Sequence, residues 1–137
     1  MILPQVGRAI WPLFFSCLGV TAAAAADISA QTAVGQDVLL ASYYEIRPAD
    51  CLALRPPRVQ ITTPPRLGKA TVVHIQQQPV QAGGRCATMA VPVAQVRYRA
   101  RQPGTDTLAW QVRYQTRGAA LQQVSADVRV LPARPAR

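Results

Sequence analysis

The stretch Thr107-Leu108-Ala109-Trp110-Gln111-Val112-Arg113-Tyr114 decides the fold class. Leu108, Trp110, Val112 and Tyr114 alternate with Ala109, Gln111 and Arg113, a period of two that gives a strand one apolar and one wet face. Trp110, flanked on that face by Leu108 and Val112, is the natural core anchor, because one aromatic side chain buries about 150–250 Å². The same period recurs downstream, where Val124, Ala126, Val128 and Val130 alternate with Ser125, Asp127 and Arg129. It recurs upstream, where Val96, Tyr98 and Ala100 alternate with Gln95, Arg97, Arg99 and Arg101.

Three earlier segments, Val38 to Tyr44, Val59 to Thr63 and Lys69 to Ile75, are less regular but rich in β-branched residues. A weaker strand from Ala87 to Val93 is interrupted by Pro92, which places it at an edge or a bulge. Turn signals separate these runs: Arg55-Pro56-Pro57, Pro64-Pro65-Arg66-Leu67-Gly68, Gln81-Ala82-Gly83-Gly84, Gln102-Pro103-Gly104 and Arg117-Gly118. Proline presets φ and glycine supplies φ > 0, so each cluster turns the chain at little cost. No window carries a helical stripe. The expectation is an all-β chain, an antiparallel β-sandwich of about seven strands.

The chain has 137 residues, enough for one domain. Half of it is apolar and 15% is charged, which excludes a disordered polymer. Residues 1–26 read as a secretory signal peptide: Arg8 is the only charge, Ala9 to Val20 is apolar, and Ala22 to Ala26 offers small residues for cleavage after Ala26. The apolar run is short and broken by Pro12 and Gly19 for a membrane anchor, which needs about 20 residues. The expected organisation is therefore a leader over 1–26, a sandwich domain over 27–131 and a basic flexible tail over 132–137. The expected address is periplasmic or secreted, with no integral membrane segment after processing.

Removal of the leader leaves Cys51 and Cys86, an even pair in an oxidising route, and these are expected to form a disulfide. A bridge across a loop of that length stabilises by about 4 kcal/mol in the chain-entropy model. His74 is the sole histidine, and no C-x-x-C or H-x-x-x-H spacing supports a metal site.

Two motifs carry a family resemblance. Thr63-Pro64-Pro65-Arg66-Leu67-Gly68-Lys69-Ala70-Thr71-Val72 resembles the P-x-x-G-x-hydrophobic opening of bacterial Ig-like, cadherin-like domains. Val96-Arg97-Tyr98-Arg99-Ala100 followed by Gly104-Thr105-Asp106-Thr107-Leu108-Ala109-Trp110-Gln111-Val112 resembles their Y-x-P … G-x-D-x-F-x-Y-x-V signature. Ala100, Leu108 and Trp110 stand where the family commonly has proline, phenylalanine and tyrosine. The resemblance spans about residues 58–131 and implies an Ig-like sandwich of the small exported single-domain type, in which two cysteines often flank the P-x-x-G strand. In physical terms Gly68 and Gly104 serve turns, Gly104 by its φ freedom. Asp106 is expected to accept backbone N–H bonds in a local Asx-type turn ahead of its strand.

The chemistry-bearing residues argue against an enzyme. His74 lies between Val73 and Ile75 with no partner motif, and Glu45 and Asp50 flank Arg47-Pro48, as a locally ion-paired turn would. There is no phosphate loop, so no catalytic residue and no cofactor is expected. The net charge of +9 is the feature with functional content. Arg97, Arg99 and Arg101 recur on the wet side of one strand, about 6.7 Å apart, while Arg113 and Arg129 project from their own strands and need not join the same patch. Guanidinium groups in a row grip carboxylates or phosphates; the same arginines also serve as solvated faces and as charges that guard strand edges. The partner expected first is an envelope or extracellular protein, and the alternative is an anionic cell-envelope polymer or lipid surface. Nucleic acid is not expected, because Tyr98, Trp110 and Tyr114 alternate inward and leave no stacking platform.

Overall fold

The computed structural model describes residues 25–47, 49–78, 86 and 89–135. Among these residues nine strands run in chain order: β1 (Ala25–Ala33), β2 (Asp37–Tyr43), β3 (Ile46–Arg47), β4 (Leu52–Ala53), β5 (Arg58–Thr63), β6 (Gly68–Gln77), β7 (Val91–Ala100), β8 (Gly104–Arg113) and β9 (Gln122–Leu131). One sheet has the order β1-β9-β8-β5 and the other β2-β7-β6, while β3 and β4 form a two-stranded piece of their own. The inward residues of both sheets build one core. Leu40, Val96, Tyr98 and Ala100 come from the three-stranded sheet; Leu108, Trp110, Val112, Val124, Ala126, Val128 and Val130 come from the four-stranded one. The chain is thus an all-β sandwich with a disulfide, and Trp110 is fully buried at its centre, where its Nε1–H donates to the Tyr43 hydroxyl of the facing sheet at 2.9 Å.

Several expectations about the strands need correction. The two sheets of the sandwich hold the seven strands expected, four and three, but β1 takes the place of the separate strand expected over 87–93, and the short β3–β4 hairpin, which carries little sequence signal, is added to them. The sandwich is not wholly antiparallel: β1 runs parallel to β9 from Ala25↔Gln123 to Ala33↔Leu131. Residues 1–24 of the expected leader lie outside the described residues, and the cut expected after Ala26 would fall inside β1. Residues 27–33 would keep their partners in β9 after such a cut. The two strands expected around Pro92 are one strand, β7, centred in its sheet. Its pairing with β2 ends at Tyr43↔Ala94, so Pro92 has only β6 beside it and its missing N–H is tolerated there.

Asp106 occupies a core-facing position of β8, on the side of Leu108, Trp110 and Val112, and is 2% exposed. It is not the head of a local turn. Its Oδ1 accepts from Arg66 N–H at 2.9 Å and Thr107 N–H at 3.0 Å, and its Oδ2 accepts from Leu67 N–H at 2.9 Å and the Tyr98 hydroxyl at 2.7 Å. One carboxylate therefore ties the β5–β6 connection and β7 to β8. Gly68 also has a different role from the one expected. It opens β6 opposite Ala100, and a Cβ there would sit 2.3 Å from the Arg99 carbonyl oxygen and 2.7 Å from the Tyr98 ring and hydroxyl. Its bare backbone makes room for Tyr98 rather than a turn. Gly104, at φ 134°, does serve the turn, and a Cβ there would crowd Leu67.

Cys51 and Cys86 are joined, with Cα atoms 5.3 Å apart. The bridge fixes the β3–β4 hairpin to the segment between β6 and β7. Buried Glu45 anchors the same region by accepting from Gln115 N–H and from Thr116 Oγ1 in the β8–β9 connection. Arg47 and Asp50 form the local ion pair expected of that turn, in solvent, where such pairs contribute little.

Burial pushes the Asp106 carboxyl upward, but the Arg66 N–H, the Tyr98 hydroxyl and the Leu67 and Thr107 N–H groups outweigh it and hold it below the ordinary carboxylate range. A depressed folded value stabilises the fold above the unfolded pKa of about 4 and is lost as pH falls through the folded value. Urea midpoints of the wild-type protein should therefore decline from about pH 4 downward. Asp106→Ala should lose about 3 kcal/mol at pH 7, since it strands buried donors, and should lack that acid limb. Tyr98→Phe should cost about 1 kcal/mol and keep the limb.

Candidate binding face

Alternation along β7 sends Val96, Tyr98 and Ala100 into the core and turns Arg97 and Arg99 to the outer face, with Arg101 just beyond. Register then decides their neighbours. Arg99 lies between Asp37 of β2 and Lys69 of β6, and Arg97 lies between Leu39 and Thr71. Asp37, Lys69, Thr71, Arg97, Arg99 and Arg101 line one shallow groove of about 200 Å³. Four cations share it with one carboxylate. Arg99 reaches Asp37 at 3.4 Å, but both side chains are at least half exposed, so the pair is weak. Lys69 and Arg99 stand directly opposite each other, a like-charge arrangement that costs stability until an anion relieves it.

Arg97 is half-buried, not fully on the wet side as its position in the alternation suggests. Its Nε–H donates to Gln95 Oε1 at 3.2 Å, and Gln95 Nε2–H donates to Gln77 Oε1 at 3.1 Å. Gln95 is 3% exposed. A buried amide thus fixes the guanidinium stem and leaves the terminal nitrogens toward the groove. Among the described residues no carboxylate lies within ion-pair distance of Lys69, Arg97 or Arg101.

The remaining arginines lie elsewhere. Arg113 is on the other sheet, opposite Arg58, in a groove of about 280 Å³ shared with Gln60 and Gln111. Arg129 pairs with Thr105 and Gln31, eight residues from Arg113 along β8 and hence about 27 Å away. The five arginines do not make one patch. Only Arg97, Arg99 and Arg101 converge, and Lys69, Asp37, Thr71 and Gln95 join them.

The groove borders a sheet edge that no described residue pairs with. Among the described residues, the edge strands of the two main sheets are β1, β5, β2 and β6. The register shifts between Leu39 and Ala41 in β2 and between Ile61 and Thr63 in β5, and such irregularities blunt an edge. β6 is paired with β7 at all ten residues without a shift, from Gly68↔Ala100 to Gln77↔Val91. No described residue pairs with its other side. β1 is also regular, but its outward charge is Asp27 and the basic groove is on the other sheet.

His74 is exposed on β6 opposite Ala94. Among the described residues no three His, Cys, Asp or Glu side chains gather as metal ligands would. No helix among them is long and apolar enough to cross a membrane.

No family model matches the chain, and no curated protein sequence matches it. The solution structure of amebosin is similar to it with a TM-score of 0.47 at 10% sequence identity, covering 80% of this chain and 98% of that one.

Arg101→Gln should leave stability within the few tenths of a kcal/mol usual for surface changes, and Lys69→Gln should raise it slightly, since it relieves the like-charge contact with Arg99. Gln95→Ala should cost about 1–2 kcal/mol, because it removes a buried amide that bonds on two sides. Thermal melts of the three variants check these outcomes.

Proposed function

We propose that this protein is an exported, non-enzymatic interaction module of the bacterial Ig-like, cadherin-like type, acting in the periplasm or outside the cell. It captures a protein partner by adding an extended segment to the edge of β6. The observation that carries this reading is the ten-residue, unshifted edge of β6. An open ladder of this kind is a template for strand addition, in which main-chain bonds give affinity and alternate side chains give specificity. The rigid sandwich, held by the core, Asp106 and the Cys51–Cys86 bridge, presents that edge in one conformation. Arg113 and Arg129, remote from it, serve as solvated surface charges.

A second reading rests on the basic groove. Lys69, Arg97, Arg99 and Arg101 suit repeated carboxylate or phosphate groups, so an anionic envelope polymer or lipid surface would bind by charge alone. Salt separates the two, because screening weakens exposed charge pairs far more than main-chain hydrogen bonds. The protein, incubated with an extract of its own compartment, should retain a discrete protein at 500 mM salt, with slowed amide exchange along β6 in the complex. Release of every ligand between 50 and 500 mM salt, with β6 exchange unchanged, would replace the first reading by the second.

A further inference from the structure

The edge and the groove share residues, and their geometry specifies what an added strand would carry. Both pairings of the β2-β7-β6 sheet are antiparallel, and an incoming strand that continues the pattern runs antiparallel to β6. Its residues facing the outer side would stand beside Lys69, Thr71, Val73 and Ile75, which alternate on that face opposite Arg99, Arg97, Gln95 and Val93. These neighbours divide into two halves. Lys69 and Thr71 belong to the basic groove, and Thr71 is the short side chain between Arg97 and the edge. Val73 and Ile75 are half-buried and apolar, beside the buried Gln95 and Val93.

We infer that the segment received by β6 is acidic at its C-terminal half and apolar at its N-terminal half. Two carboxylates spaced i, i+2 would lie against Lys69, Arg97, Arg99 and Arg101, and two apolar residues would continue toward Val73 and Ile75. This inference rests on the edge reading above and adds the chemistry of the partner. Charge complementarity chooses the occupant. The groove holds four cations against Asp37 alone, and the like-charged Lys69–Arg99 pair gains a counter-ion when a carboxylate arrives. A second copy of this chain does not supply it, since its six acidic residues never occur as an i, i+2 pair within a strand.

The test uses the purified protein with its disulfide intact and a fluorescent, end-capped peptide of outward pattern Val, Val, Glu, Glu separated by threonines. The expected result is saturable binding with slowed amide exchange along β6. Replacing each peptide glutamate by glutamine should weaken binding about tenfold at low salt. That difference should shrink in Lys69→Gln and Arg97→Gln, both checked by melting for an intact fold. N-methylation of alternate peptide amides, which removes main-chain donors and no charge, should abolish binding. Equal binding of the glutamate and glutamine peptides, with β6 still protected, overturns the acidic specificity and leaves the edge reading intact. Undiminished binding of the N-methylated peptide, without protection of β6, overturns both and reduces the groove to a charge site. Absence of binding at millimolar peptide, or slow β6 exchange accompanying self-association without peptide, overturns the inference.

Discussion

A single buried carboxylate organises the end of the sandwich on which the functional reading depends. Asp106 projects from β8 among core side chains, where an unpaired charge would be prohibitive. It is tolerated because the Arg66, Leu67 and Thr107 N–H groups and the Tyr98 hydroxyl all donate to it. Three of those donors lie on the β5–β6 connection (Arg66, Leu67) and on the facing strand β7 (Tyr98), so satisfying the charge also fixes how the two sheets meet. Around this point Gly68 gives Tyr98 its space, Gly104 clears Leu67, and the Leu67 carbonyl accepts from Arg101 and Gln102 N–H groups. Lys69, Arg99 and Arg101 follow directly on these anchored residues and project from the outer face.

The face combines two features that would each be ordinary alone. Basic residues on a solvated sheet surface are common, and edge strands are common. Here one of the two edges without a bulge, that of β6, begins beside four cations. Natural proteins usually guard such an edge against casual pairing. In β6 the only charge along the strand is Lys69, at its first outward position, and the half beyond Thr71 is apolar on that face.

The period-two runs made the sandwich and its core legible in the sequence, since Leu108, Trp110 and Val112 or Val124 to Val130 leave no other arrangement of apolar faces. The Cys51–Cys86 pairing was legible from the even count left when residues 1–26 are read as a leader. Strand β1 was not, because its small residues alternate weakly and its parallel partner β9 is about a hundred residues away in sequence. Pro92 misled in the other direction: a proline splits a strand pattern, yet β7 tolerates it where β2 has ended. Asp106 carries a readable signal in its position along β8. It has the same parity as Leu108 and Trp110, which demands distant donors rather than a local turn. Arg97 to Arg101 were recognisable as a row, but register alone brought Lys69 and Asp37 beside them and sent Arg113 and Arg129 to the other sheet.

Residue-resolved amide hydrogen exchange on the isolated protein is the decisive test of whether the β6 edge stands open. Successive amides of an antiparallel strand point to opposite sides, so the account predicts alternation along β6: slow exchange where the amide meets β7, fast exchange where it faces outward. Uniformly slow exchange at every position of β6 would show that edge already occupied, and would contradict the account.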